Sequence, residues 1–224
     1  MHLVSRSFWS VSLLCGSLLW SDVTTAQQAA PEAPAAAVSE TPDAAAATKI
    51  VEGLHDEMLA VMKDGKALGF DGRLARLQKA IEARYDFSFM AEKSVGLAWK
   101  DLDAAQRAQL VDAMGRLAGA TYAGRMADFS GEKFETLGTQ EAGQATMLVR
   151  TQIVESGGKT TSLDYRLRET PAGPRIIDVF YNGTVSELAM RRSEYSSLLK
   201  KGGFPLLIDT IEKKTGEQKL SASS

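Results

Sequence analysis

Residues 178–195, DVFYNGTVSELAMRRSEY, join an alternating strand to a capped helix through one turn. Asp178, Phe180 and Asn182 fall on one side of the extended segment and Ile177, Val179 and Tyr181 on the other, until Gly183 breaks the pattern. Thr184, followed three residues later by Glu187, has the form of a capping box and sets the expected helix start. Nothing in the stretch has the look of a catalytic group.

Upstream, the period of two continues. Residues 133–139, 144–155, 159–169 and 174–182 read as four strands, separated by Gly143, by Gly157 with Gly158, and by Pro171 with Gly173. Such short connections predict an antiparallel meander. In the third strand Leu163, Tyr165 and Leu167 face one side, and Ser162, Asp164, Arg166 and Arg168 the other, so one face is covered and one wetter.

Helical spacing dominates elsewhere. Ile50, Val51, Leu54, Met58, Val61 and Met62 share a stripe that Gly65 ends, and Leu74, Leu77 and Ile81 share another behind a possible Asp71 cap. A short helix over 88–95 is closed by Gly96. Asp103 with Gln106 caps a long run that passes Gly115 and Gly119, on successive turns, to Tyr122 and Met126. Those glycines call for close approach by another helix or by a ligand. Downstream, an apolar stripe through Leu188, Tyr195 and Leu199 ends at Gly202 and Gly203, and Leu206, Leu207 and Ile211 form a second before Gly216. The fold class is therefore α+β: a four-stranded antiparallel twisted sheet with N- and C-terminal helices packed on it.

The N-terminus has a separate reading. Arg6 precedes an uncharged apolar block, residues 8–20, which is short of the roughly 20 residues a membrane span needs. With Thr24 and Ala26 spaced as signal peptidase reads them, residues 1–26 are expected to be an export signal; a retained anchor is the alternative. Cys15, preceded by Leu14, lacks the lipoprotein pattern, and its removal leaves a mature chain with no thiol. Residues 27–47, rich in Ala and Pro, form a disordered linker, 48–216 the folded domain and 217–224 a flexible tail.

Composition closes several functional classes. With 26 basic and 28 acidic residues and a net charge of −2, the chain has no broad positive field for a nucleic acid. His55, the only histidine after the signal, sits on a helix surface, where a solvated or capping role is favoured over a metal site. No G-x-S-x-G, P-loop, G-x-G-x-x-G or H-E-x-x-H occurs. Asp164 and Asp178 are the remaining candidate bases, with ion pairing to Arg150, Arg166 or Arg175 as the favoured reading. The chain is read as a non-enzyme without cofactor or metal. Tyr85, Phe87, Met90, Leu97 and Trp99 crowd one connection, and Met114, Tyr122 and Met126 lie along the long helix. Core packing is the default for each, yet methionine and tyrosine also suit a pliable apolar cavity.

Five segments together carry a family resemblance: YDF-x-x-M at 85–90, LAWKDL at 97–102, TYAGRMADFSG at 121–131, LDYRL at 163–167 and DVFYNGTVSEL-x-x-RRSEY at 178–195. They resemble the MlaC/Ttg2D family of periplasmic phospholipid-binding carriers, also described as toluene-tolerance auxiliary components, and TVSEL and RRSEY resemble its hopanoid-associated HpnM branch. Pro174 stands where the family often has tryptophan. The resemblance implies a noncatalytic lipid cavity between sheet and helices and carries Tyr122, Tyr165, Val179 and Tyr181 over to its lining; the apolar inventory adds Tyr85, Phe87, Met90, Leu97, Met114 and Met126, and Leu188 is read as its lid. Arg191 and Arg192 would meet a head group or a docking surface, or form a solvated helix face. It further implies a periplasmic monomer that shuttles a phospholipid or hopanoid between membrane-associated lipid-transport complexes. The alternatives are an adaptor holding a partner helix and a cavity enzyme using Asp164 or Asp178.

Overall fold

A computed structural model describes residues 40–222. The expected signal and most of the linker lie outside the described residues. Asp43 accepts a hydrogen bond from Ala46 N and starts α1 (Ala44–Lys63), so the helix begins inside the segment expected to be linker. α2 (Gly65–Glu82) breaks at Gly69, and Asp71, expected as a cap, instead pairs with Lys219 at 2.8 Å. α3 (Phe87–Val95) is capped by Asp86 and leads into a 3₁₀ turn (Gly96–Lys100). α4 (Ala104–Arg125) opens with the capping box expected at Asp103 and Gln106.

The sheet follows, with strands β1 (Lys133–Ala142), β2 (Thr146–Val154), β3 (Thr160–Arg168), β4 (Arg175–Tyr181) and β5 (Val185–Ser186) in the order β1-β2-β3-β4-β5, every pair antiparallel. The fold class holds with one correction, five strands rather than four. The fifth occupies the residues expected to open the last helix: Tyr181 pairs with Val185 and Phe180 with Ser186. α5 (Glu187–Ser221) is capped by Ser186, whose hydroxyl accepts from Ala189 N, and not by Thr184. The two closing helices are limbs of α5, bent at Gly202 and Gly203; Gly203 has φ 69°, a conformation costly for any residue with a Cβ. Residues 217–221, expected as flexible tail, continue the second limb.

A bulge decides which side chains of β4 face inward. Arg166 pairs with Asp178 but the next residue, Leu167, pairs with Ile176, so β4 carries one extra residue. Ile176 therefore joins Tyr165, Leu167 and Val179 in the core, and Ile177 does not share the face of Val179 as simple alternation required. Ile177 lies beside Asp178 in a groove on the other face. On its free side Ile176 exchanges hydrogen bonds with the α2–α3 connection, donating to Arg84 O and accepting from Asp86 N. That contact ties the helical layer to the sheet.

Buried Arg73 fixes the far end of α4. It donates from Nε to Ala123 O and from Nη1 to Gly65 O, both at 2.8 Å. Helix α4 also packs closely on α2, where a Cβ at Gly119 would press on Gln78 and Leu74. At Gly115 the neighbour is Phe87, at ordinary contact distance. The glycines thus meet helices. Among the described residues no helix is long and apolar enough to cross a membrane.

Candidate functional site

A cavity of about 330 Å³ lies between the helices and the inward face of the sheet. Helix α4 supplies Ala118, Thr121, Tyr122 and Arg125, followed by Met126; α1 supplies Met58. The sheet supplies Phe134, Ile153, Leu163, Val179 and Tyr181, and the first turn of α5 supplies Glu187 and Met190. The alternation of β3 and β4 puts Leu163 opposite Tyr181 and Tyr165 opposite Val179, which turns three of those four side chains into the wall. Helical spacing does the same for Ala118, Thr121, Tyr122 and Arg125.

The lining is apolar with a polar rim. Arg125 donates to Tyr181 Oη at 2.9 Å and lies over its ring, while Met190 and Tyr181 are partly open to solvent. Behind the wall lie two hydroxyl contacts. Tyr122 and Tyr85 share a hydrogen bond of 2.8 Å, and Tyr165 Oη meets His55 Nε2 at 3.1 Å. Burial raises the pKa values of Tyr85, Tyr122 and Tyr165, so these phenols stay neutral. Tyrosine supplies hydrogen bonding here without introducing a charge.

Of the lining expected from the sequence, Tyr122, Met126, Val179 and Tyr181 border the cavity. Tyr165 is wholly buried in the layer behind it, as are Met90 and Met114, whose sulfur accepts from Ser94. Phe87 stacks on Tyr85 with ring centres 5.5 Å apart, one layer further back. Leu97 is elsewhere, 85% exposed on the 3₁₀ turn, and Leu188 lines a separate groove with Arg192. Arg191 is not a free rim cation. It is half-buried, paired with Glu187 and bonded to Tyr195 Oη; burial lowers its pKa, but Glu187 and its hydrogen bonds leave it raised overall.

The sequence reading missed Met58, Phe134, Ile153 and Met190. Met58 and Phe134 stood in ordinary apolar patterns, and Met190 falls off the stripe expected for α5. His55 is also a correction, since it is buried and stacked on Phe134 at 4.1 Å. Desolvation lowers its pKa to about 4.

The two candidate bases have structural partners. Asp164 accepts from Thr151 N at 3.2 Å and Ser162 Oγ at 3.1 Å. Asp178 accepts from Val179 N, Leu188 N and Ser186 Oγ, at 2.8, 2.9 and 2.5 Å, and so clamps the strand to the start of α5. Burial raises its pKa while those three hydrogen bonds act against the rise. Neither carboxylate joins an ion pair among the described residues, contrary to the pairing expected with Arg150, Arg166 or Arg175; Arg166 bonds Thr146 and Gly143, and Arg175 the carbonyls of Glu82 and Ala83. No cluster able to hold a metal occurs among the described residues.

Comparison with solved structures finds seven matching chains. One is the phospholipid-binding protein from Ralstonia solanacearum in complex with a phospholipid, with a TM-score of 0.67 and 21% identity over 77% of this chain and 98% of that one. At that identity the likeness is one of fold. No curated protein sequence matches. The profile of the MlaC protein family matches residues 52–213, from within α1 to within the second limb of α5, and the chain belongs to the MlaC family.

Proposed function

We propose that this protein is a noncatalytic lipid carrier that holds a phospholipid or hopanoid with its apolar part in the cavity between α4 and the sheet. The observation that carries the reading is the cavity itself, an apolar space with Tyr181, Arg125 and Glu187 at its rim. Family membership and the phospholipid-bound relative of the same fold support binding rather than catalysis. So does the use of Asp164 and Asp178 as hydrogen-bond acceptors within the fold.

The volume bears on how the ligand sits. About 330 Å³ is at the low end of the roughly 300–1,000 Å³ common for small-molecule pockets, too little for a whole two-chain lipid. One chain enters while the head group stays at the rim, or Met58, Met126 and Met190 swing aside to enlarge the space. Each buried methylene contributes about 0.8 kcal/mol, so a dozen supply on the order of 10 kcal/mol before ordering costs. In this reading residues 1–26 direct export to the periplasm, residues 27–47 include a tether, and the monomer passes its lipid between inner- and outer-membrane complexes. The hopanoid alternative rests on the TVSEL and RRSEY segments.

Organic extraction of native protein followed by mass spectrometry tests the proposal and identifies the lipid. Near-stoichiometric phospholipid or hopanoid is expected. Absence of lipid, together with failure of delipidated protein to take any up, would overturn it.

A further inference from the structure

The first turns of α5 form a wall shared by two hollows. Glu187 and Met190 border the cavity, while Leu188 and Arg192 border a groove of about 570 Å³ between α3, α5 and the other face of β3 and β4. Four cations line that groove: Lys93, Arg166, Arg168 and Arg192. Lys93 pairs with Glu92 and Arg168 with Asp86. Arg166 bonds only the neutral oxygens of Thr146 and Gly143, and Arg192 makes no ion pair among the described residues. The carboxylate in the wall, Asp178, is engaged by Ser186 and two backbone N–H groups. Two guanidinium groups without an ion pair among the described residues thus share the groove with one carboxylate, Asp178, on a chain whose net charge is −2.

The groove continues outward. Lys93 and Arg192 also border an adjoining hollow with Glu92, Leu97, Trp99 and Lys100, three cations to one carboxylate. Leu97 projects from the 3₁₀ turn with 85% of its surface exposed, the most of any large apolar residue described. Its neighbour Ala98 and the indole of Trp99 pack on the core, so the turn is anchored and Leu97 is its protruding tip. Burial in the fold does not explain it.

We propose that this face docks on an anionic bilayer surface, Leu97 entering the acyl boundary, Trp99 lying at head-group depth and Lys93, Lys100, Arg166 and Arg192 meeting lipid phosphates. A protruding leucine beside a tryptophan, set among cations, matches the apolar-to-anionic gradient of a membrane interface. An acidic protein would use the same cations, but the projecting Leu97 would then need a preformed pocket in that partner; a fluid bilayer supplies one anywhere. The surface lies on the other side of α5 from the cavity, so docking leaves the rim formed by Tyr181 and Met190 uncovered.

Cosedimentation of the full chain with phosphatidylcholine vesicles, with and without phosphatidylglycerol, tests this. Binding is expected only with phosphatidylglycerol and should weaken with added salt. Each basic group near such a surface contributes about fivefold, so Arg192→Glu with Lys100→Glu should weaken partitioning by more than about 20-fold. Leu97→Ser should cost about tenfold, the equivalent of withdrawing one buried leucine. Lys213→Glu, the same charge reversal per substituted residue on an exposed part of α5, should leave partitioning within about twofold of the parent. The proposal is overturned if the parent ignores phosphatidylglycerol vesicles at low salt, if the Leu97 and Arg192 variants sediment like the parent, or if Lys213→Glu loses as much as they do. Arg192-dependent binding to polyglutamate without vesicle binding would also overturn it and assign the face to an acidic protein. Thr121→Trp, which fills the cavity, should retain vesicle binding, so this test and the lipid-extraction test fail independently.

Discussion

Replacing Asp178 by alanine should destabilise the fold by about 3 kcal/mol, whereas asparagine should cost at most about 1 kcal/mol. The difference follows from three donors. The buried Val179 N–H, the first-turn Leu188 N–H and the Ser186 hydroxyl all end on this one carboxylate. Hydrogen bonds to a charged acceptor contribute about 1.5–3 kcal/mol each, and an orphaned buried donor costs about 1–3 kcal/mol. Val179 is counted in full because it is buried; Leu188 and Ser186 are part-buried and recover some of the loss from water. The carboxylate's own desolvation, seen in its raised pKa, offsets part of the total. Asparagine keeps one oxygen for both N–H groups and turns its amide toward Ser186 Oγ, which can accept. Denaturant titration measures the free energies directly, and thermal unfolding should show about 6–12 °C lost for alanine in a domain of this size. Amide exchange should show α5 fraying from Glu187 in the alanine variant only. An alanine variant within about 0.5 kcal/mol of the parent would refute the clamp, and asparagine as damaging as alanine would refute the acceptor geometry.

Four further outcomes follow from other parts of the structure. His55 has a pKa of about 4 in the folded protein against 6.5 when exposed. The unfolded chain therefore takes up the proton first, and the stability of neutral His55, present above pH 6.5, is lost as pH falls toward 4. From this group alone the protein should be about 2 kcal/mol less stable at pH 5 than at pH 7, and His55→Phe should flatten that dependence in urea titrations. Thr121→Trp should lower copurified lipid by about tenfold or more, the loss of one to two buried methylenes or greater, with the fold retained by circular dichroism. Gly65→Ala should cost about 2 kcal/mol or more, because its Cβ would run into the backbone carbonyl of Ala127. Gly119→Ala should stay within about 1 kcal/mol of the parent, since the flexible end of Gln78 can move and the helix gains from alanine.

Elements whose signals are local were legible in the sequence. The box at Asp103 and Gln106, the stop after α1, the bend at Gly202 and Gly203 and the four long strands depend on spacing within a few residues, and each is found. Errors arose where a local signal competed with a pairing. Thr184 and Glu187 have the spacing of a capping box, but Val185 and Ser186 add to the edge of β4, which shifts the cap to Ser186. Alternation assigned Ile177 to the inner face; the bulge substitutes Ile176, held from its free side by Arg84 and Asp86, some ninety residues earlier in the chain. No periodicity within β4 contains that contact.

The site was legible only in part, for a related reason. A residue that lines a cavity and one that fills the core behind it obey the same period, because both lie on the inward face of a helix or strand. Tyr122 and Tyr85 illustrate this: their hydroxyls touch, yet Tyr122 borders the space and Tyr85 lies beyond it. Which layer a residue joins depends on where α4 sits, and α4 is held on α2 by buried Arg73, which bonds Ala123 O, and by close packing at Gly119. Nothing in the local pattern marks Arg73 as buried, and at Gly119 the pattern calls for close approach without deciding between a helix and a ligand. One wall of the cavity is therefore held by a residue outside the lining, and Arg73→Ala, which frees Ala123 O next to the lining residue Tyr122, should lower copurified lipid while leaving every lining side chain unchanged.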